Sequence, residues 1–229
     1  MDKNLLDKLM YKSQDPTFQT EITPQMLDLL HKGNDDKWKG QKLLPRQMET
    51  MSSIQLANQA LSGLLPDVSD FMTNLAMQES NIGGDDEWSG SSGPSQIDPI
   101  GYEDMQFRGK GIEGYSKKQS KRFLDKASIA NKLLENMGYG KNFDILNLSL
   151  DEIRDPMINA LLTRMKLGTI KDSIPSDLEG QADYWKDNWN THAKNAKGKP
   201  EHFINQVQYY NKLLGIKTYD NTPLSGKNP

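Results

Sequence analysis

Three features of this 229-residue sequence predict a mainly α-helical protein. Apolar residues recur at helical spacing through most of its middle. Proline-led and Ser/Asp-led starts punctuate that pattern, and no convincing run of alternating β-branched residues breaks it. The chain is 35% apolar and 26% charged, with a mean hydropathy of -0.76. These values fit a compact helical region diluted by polar arms.

The elements follow in order. Residues 1–62 are rich in Met, Gln, Lys and Asp, with short helical patterns broken at Pro16, Pro24 and Pro45. They form a helical lead-in packed on the main domain, or an arm. Sustained periodicity occupies residues 63–214, the expected domain. Its first helix follows Pro66-Asp67 and carries Val68, Phe71, Met72, Leu75 and Ala76 on one face. A short hairpin or a loop flap is expected between residues 84 and 115. The next helix, within 117–137, carries Phe123, Ala127, Ala130, Leu134 and Met137 and stops at Gly138 and Gly140. Ser149 to Glu152 reads as a capping box, and Asp155-Pro156 as an N-cap followed by an N1 proline. The helix it opens bears Ile158, Leu161, Leu162 and Met165 and ends at Gly168. Ser176 to Glu179 reads as a second capping box, opening a helix through Tyr184, Trp185 and Trp189. Pro200 starts a last helix with Phe203, Val207, Tyr210 and Leu214 inward. Residues 215–229 are turn formers with little to bury, hence a flexible tail.

Composition excludes several classes of function. With no cysteine, the chain has no disulfide framework, thiolate zinc site or thiol nucleophile. A net charge of -3 with both signs interspersed gives no clustered basic face, so no nucleic-acid partner is expected. No apolar run approaches a membrane span, and the N-terminus lacks a signal-peptide pattern. His31, His192 and His202 are isolated, so no metal site is expected, and no nucleotide-binding fingerprint points to a cofactor.

The informative stretch is Leu75-Ala-Met-Gln-Glu-Ser-Asn-Ile-Gly83, followed after a polar loop by Gly93-Pro-Ser-Gln-Ile-Asp-Pro99. On a helical wheel Glu79 lies within about 20° of Val68 and Met72. It therefore falls on the apolar stripe, at the helix end. A carboxyl there is partly desolvated and keeps its proton nearer neutral pH, as a general acid requires. The same position also suits a glutamate turned to solvent or bonded to the helix end.

The pair of segments resembles the lysozyme-like superfamily, specifically its soluble lytic transglycosylase-type domains. Their signature is a helix ending in Glu-Ser, a variable loop, then Gly-x-x-Gln-(Ile/Val). Glu79-Ser80 matches the first element and Gly93-Pro94-Ser95-Gln96-Ile97 the second. The resemblance implies that Glu79 is the single catalytic acid/base and that Ser80 hydrogen-bonds the glutamate or the sugar. Gln96, with Ile97 beside it, would line the substrate cleft. The family's third element, usually Ala-Tyr-Asn, is not intact. Ala182-Asp-Tyr184-Trp185 and Trp189-Asn190-Thr191 lie on the expected helix, and they make Tyr184 and Asn190 its substrate-contact candidates. At helical spacing, Tyr184, Trp185 and Trp189 also suit core packing. Trp88, in the Gly/Ser-rich loop, and Tyr102 are candidates to stack on sugar rings.

The implied activity is cleavage of peptidoglycan glycan strands between N-acetylmuramic acid and N-acetylglucosamine. A lytic transglycosylase needs one glutamate, which both protonates the leaving oxygen and deprotonates the sugar's own 6-hydroxyl. A hydrolytic muramidase needs a second carboxylate, for which Asp85, Asp86, Glu87 and Asp98 are available, although Asp98 before Pro99 reads as a turn residue. The stretch from Gln181 to Ile204 is similar to a segment of lysozyme-like proteins in phage particles. Together with the missing leader, this implies a phage virion protein, acting on the cell wall and contacting other virion proteins through its arms. An endolysin, made in the host cytoplasm, is the close alternative. A structural virion protein that keeps the scaffold without activity is the alternative of another class.

Overall fold

The computed structural model describes residues 45–84, 93–110, 116–190 and 198–214. Among them the chain is mainly helical and has no strand. The helices are α1 (Pro45–Ala60), α2 (Ser69–Ser80), α3 (Pro99–Lys110), α4 (Lys117–Met137), α5 (Pro156–Leu167), α6 (Leu178–Asn188) and α7 (Pro200–Leu214), with a 3₁₀ turn at Glu152–Arg154. No helix among them is long and apolar enough to cross a membrane. Trp88, the acidic run 85–87, His31, His192, the tail 215–229 and residues 1–44 lie outside the described residues.

α5 is the central element. Every residue from Pro156 to Met165 is buried, as expected of a helix enclosed on all sides. α1 lies along it, α4 and the 3₁₀ turn flank it, and α7 packs on both α2 and α6. Local signals set its ends. Asp155 accepts hydrogen bonds from the Met157 and Ile158 amides at 2.8 and 3.0 Å, and Pro156 stands at N1. The expected stripes are the buried ones: Phe71, Met72, Leu75 and Ala76 on α2, and Phe203, Val207, Tyr210 and Leu214 on α7. α4 opens with a capping box, Ser116 with Gln119, and ends at Gly138 with φ 96, a left-handed value that glycine adopts freely.

Two expectations change. The expected boundary at 62/63 falls inside one continuous core, because α1 buries Ile54, Leu56 and Ala57, followed by Leu61. The 45–62 part of the lead-in is thus packed on the main domain. The expected hairpin or loop flap falls in large part on residues 85–92 and 111–115, outside the described residues; between these, residues 93–96 make a turn and α3 follows. Asp98 accepts from the Gly101 amide and Pro99 opens the helix, repeating the Asp155-Pro156 device. Finally, the cap of α6 is Asp177 rather than Ser176, because its carboxylate reaches the Gly180 amide at 2.8 Å.

Candidate active site

The site is built around the turn that ends α2. Asn81 (φ 52), Ile82 (φ 61) and Gly83 (φ 77) follow one another in the left-handed region. For a β-branched residue such as Ile82 this is a strained conformation, of the order of 1–3 kcal/mol, and it persists only where the surroundings over-determine it. They do so here. The Gln47 amide on α1 donates to the Asn81 carbonyl at 2.8 Å, and Gln206 on α7 donates to its side-chain oxygen at 2.5 Å. The Ile82 amide returns to the Ala76 carbonyl at 2.8 Å, and the Ile82 side chain is fully buried. At Gly83 a Cβ would come within 2.6 Å of Thr50 Oγ1, so only glycine lets α1 approach this closely.

Ser80 joins this turn to the second segment. Its hydroxyl donates to the Pro94 carbonyl at 2.7 Å and accepts from the Gly83 amide at 2.6 Å. The Gly93–Gln96 turn is held from the other side by Asn159 on α5, which is wholly buried. Asn159 Oδ1 accepts from the Ser95 amide at 2.9 Å, while its Nδ2 donates to the Ile153 carbonyl at 3.3 Å. Gly93 has φ 73, and a Cβ on it would lie 2.3 Å from Asn159 Nδ2. Gln96 also takes a left-handed φ of 50 and donates from its amide to the Gly93 carbonyl at 3.2 Å. The two segments on either side of residues 85–92 are therefore locked together by backbone-directed bonds.

Glu79, next to the last residue of α2, emerges at this junction. Its Oε1 accepts a 2.6 Å hydrogen bond from Trp185 Nε1 on α6. The other oxygen, Oε2, takes no hydrogen bond from the described residues, and the side chain keeps part of its surface open. Burial pushes the carboxyl up from 4.5 to about 7, against the lowering effects of the Trp185 indole N–H and the Lys166 charge. Desolvation thus outweighs both, because neither partner restores the hydration that burial removes. The helix pair that sets this contact carries a second polar rung, Asn74 Nδ2 donating to Gln181 Oε1 at 2.8 Å, five residues before Glu79 and four before Trp185. One turn past Trp185, Trp189 donates from Nε1 to the Ser95 carbonyl at 3.0 Å and lies under the Lys166 ammonium, 4.1 Å from the ring centroid.

The structure sorts the expected site residues. Glu79 and the segment bearing Gln96 are brought together. Ser80, 2% exposed, spends its hydroxyl on the backbone and acts as a clip instead of a substrate contact. Ile97 is fully buried in the core. Tyr102 donates to the Ile145 carbonyl at 3.0 Å and accepts from the Leu148 amide at 2.7 Å, so it holds the 145–148 segment and offers no face to a sugar. Tyr184 packs edge-on to Phe71 at 5.2 Å, inside the core. Asn190 is partly buried, its backbone and side-chain oxygens accepting from Lys186 at 3.2 and 3.4 Å. Its Nδ2 would lie 2.8 Å from a Cβ on Gly198, a position that would also touch Trp185 at 2.5 Å, so Asn190 stays near the Trp185 ring. Trp88 is outside the described residues. Trp185, Lys166 and Asn159 were missed as site residues. Each looks in sequence like a core or surface position, and its role comes from a tertiary partner: Glu79 for Trp185, Ser95 for Asn159 and Trp189 for Lys166.

Among the described residues no group of three or more His, Asp or Glu side chains could hold a metal ion. Compared with protein-family models, with curated proteins and with solved structures, the chain finds no match.

Proposed function

We propose that this protein cleaves peptidoglycan glycan strands on a lysozyme-like helical scaffold, as a lytic transglycosylase in which Glu79 is the only acid/base. The observation that carries this reading is the Glu79 carboxyl itself. It emerges where the Glu-Ser and Gly-x-x-Gln segments meet, has one oxygen unengaged among the described residues, and is poised near 7 by burial. A group that titrates there can serve in both protonation states.

In the first half of the reaction the Glu79 acid gives its proton to the glycosidic oxygen. The bond from the muramic C1 to that oxygen breaks, with the electron pair leaving on the oxygen. The 6-hydroxyl oxygen of the same sugar then bonds to C1, and its proton passes to the Glu79 carboxylate. The product is a 1,6-anhydro sugar, and the glutamate is regenerated as the acid. The Trp185 N–H stabilises the carboxylate between the two halves.

The hydrolytic alternative needs a second carboxylate holding a water. Asp98, the candidate among the described residues, is committed to capping α3, which favours the transglycosylase. The phage-particle setting, and contacts with other virion proteins through the terminal arms, rest on the resemblance of the Gln181–Ile204 segment. The structural-protein alternative draws on the unmatched third element, since Tyr184 is buried in the core. Digestion of purified sacculi with mass analysis separates the three. Anhydro-muropeptides are expected; reducing-end products would indicate the muramidase, and no release at all the inactive scaffold.

A further inference from the structure

We infer that Lys166 is a positioning residue for Glu79. Its ammonium, laid on the Trp189 indole, supports the carboxylate that Glu79 becomes after protonating the leaving oxygen. The catalytic consequence rests on the proposed glycan cleavage; the coupling between the two side chains is a property of the folded chain alone.

The two side chains are joined through the end of α6, which carries the partner of each. Lys166 is the last residue but one of α5 and sits half-buried with its ammonium 4.1 Å from the Trp189 ring centroid. Trp189 ends α6 one turn after Trp185, which holds Glu79 Oε1 at 2.6 Å. Both indoles are fixed, Trp189 by the Ser95 carbonyl and Trp185 by full burial. The cation is thus held on the Trp189 face, near enough for its charge to act on Glu79, and among the described residues no carboxylate comes within ion-pair distance of that ammonium.

Three carboxylates act on Lys166 in the described residues: Asp98, Asp104 and Glu79. Two are engaged elsewhere. Asp98 caps α3, and Asp104 pairs with Arg108 at 2.7 Å. From the other side, Lys166 is the one charged group among the described residues that acts on Glu79. α6 presents the neutral Trp185 to Glu79, and α7 presents the neutral Gln206 to the turn beyond it. Among the described residues the partly buried glutamate therefore meets a single positive charge. That charge offsets part of the desolvation that would otherwise fix it as an acid and prevent it from taking back the 6-hydroxyl proton. A contact ion pair would fail the opposite way, by holding Glu79 ionised and unable to donate.

The Trp185 indole N–H, bonded to Glu79, is a built-in reporter. In the full chain, its ¹H–¹⁵N signal followed from pH 5 to 9 is expected to move with the Glu79 titration, and Glu79→Gln should abolish that movement. Lys166→Met keeps the alkyl stem on Trp189 and removes the charge. It should raise the midpoint by roughly half to one pH unit, while Lys166→Arg should leave it near wild type. Lys166→Gln, a second neutral variant in case the Met variant does not fold, should shift it in the same direction. An unchanged midpoint in the neutral variants, or equal movement in the Met and Arg variants, would overturn the inference. On sacculi, the upper pH limit of glycan release should move with the midpoint. If no variant releases glycan at any pH, the proposed activity fails, while the indole titration still decides the coupling.

Discussion

A single carboxyl raised to about 7 has consequences for stability as well as for chemistry. Unfolded, Glu79 titrates near 4.5, so between the two values the folded chain holds a proton that the unfolded chain has released. Stability from this group is therefore complete below 4.5 and is lost as pH rises through 7. The shift from 4.5 to about 7 amounts to roughly 3 kcal/mol. Glu79→Gln, which carries no charge, is thus expected to be more stable than wild type at pH 8, by up to about 3 kcal/mol, and nearly equal to it at pH 4. Urea unfolding at the two pH values checks this; equal stability at pH 8 would contradict the burial of the charge. Trp185→Phe removes the N–H that favours the carboxylate, so the Glu79 midpoint, followed by ¹³C-carboxyl NMR, should rise further. The glutamate's place on the apolar stripe was legible in sequence, because the helical period fixes it relative to Val68 and Met72. Its partner was not. Trp185 reads as one member of an aromatic stripe, and only the packing of α2 on α6 decides that its N–H reaches a carboxylate 106 residues away.

At the scale of elements, the starts and stops of helices were the most legible feature, since capping is local chemistry. Asp155-Pro156, the Ser149 to Glu152 box and the Gly138 stop all stand where the sequence placed them. The Ser176 cap slipped by one residue, because Asp177 offers a competing acceptor of the same reach. Asp155→Ala should cost about 1–2 kcal/mol through the lost cap, and more through Tyr139, whose hydroxyl donates to the same carboxylate at 2.9 Å. Thermal or urea unfolding measures it. The Gly93 turn is less forgiving. Gly93→Ala would force a Cβ into Asn159 and onto a left-handed φ. Beyond any loss of stability, it should dislodge the Gln96 segment and lower glycan release well below that of Asp155→Ala at a temperature where both variants are folded. What hid this in sequence is that Asn159 looks like a polar interruption of a buried helix, while its side-chain oxygen accepts from the Ser95 amide 64 residues away.

At the scale of the molecule, the helical class was legible because periodicity extends through most of the chain, whereas the domain edge was not. α1 belongs to the core despite a weak amphipathic pattern, its buried side including Gln47, Thr50, Ser53 and Asn58 beside Ile54, Leu56 and Ala57. Those polar groups find bonds that no hydropathy pattern reveals, such as Gln47 to Asn81 and Asn58 Oδ1 accepting from the Val68 amide at 3.1 Å. Removing residues 1–62 should therefore abolish the cooperative thermal transition, as it strips α5 of the helix that lies along it. A retained transition would show that α1 is dispensable. The whole arrangement converges on one carboxyl, and the most direct test of its role is the rate of soluble muropeptide release from sacculi by Glu79→Gln beside wild type, both verified as folded by circular dichroism. Loss of the general acid should lower that rate by about 10²-fold or more; a Glu79→Gln variant as fast as wild type would contradict it.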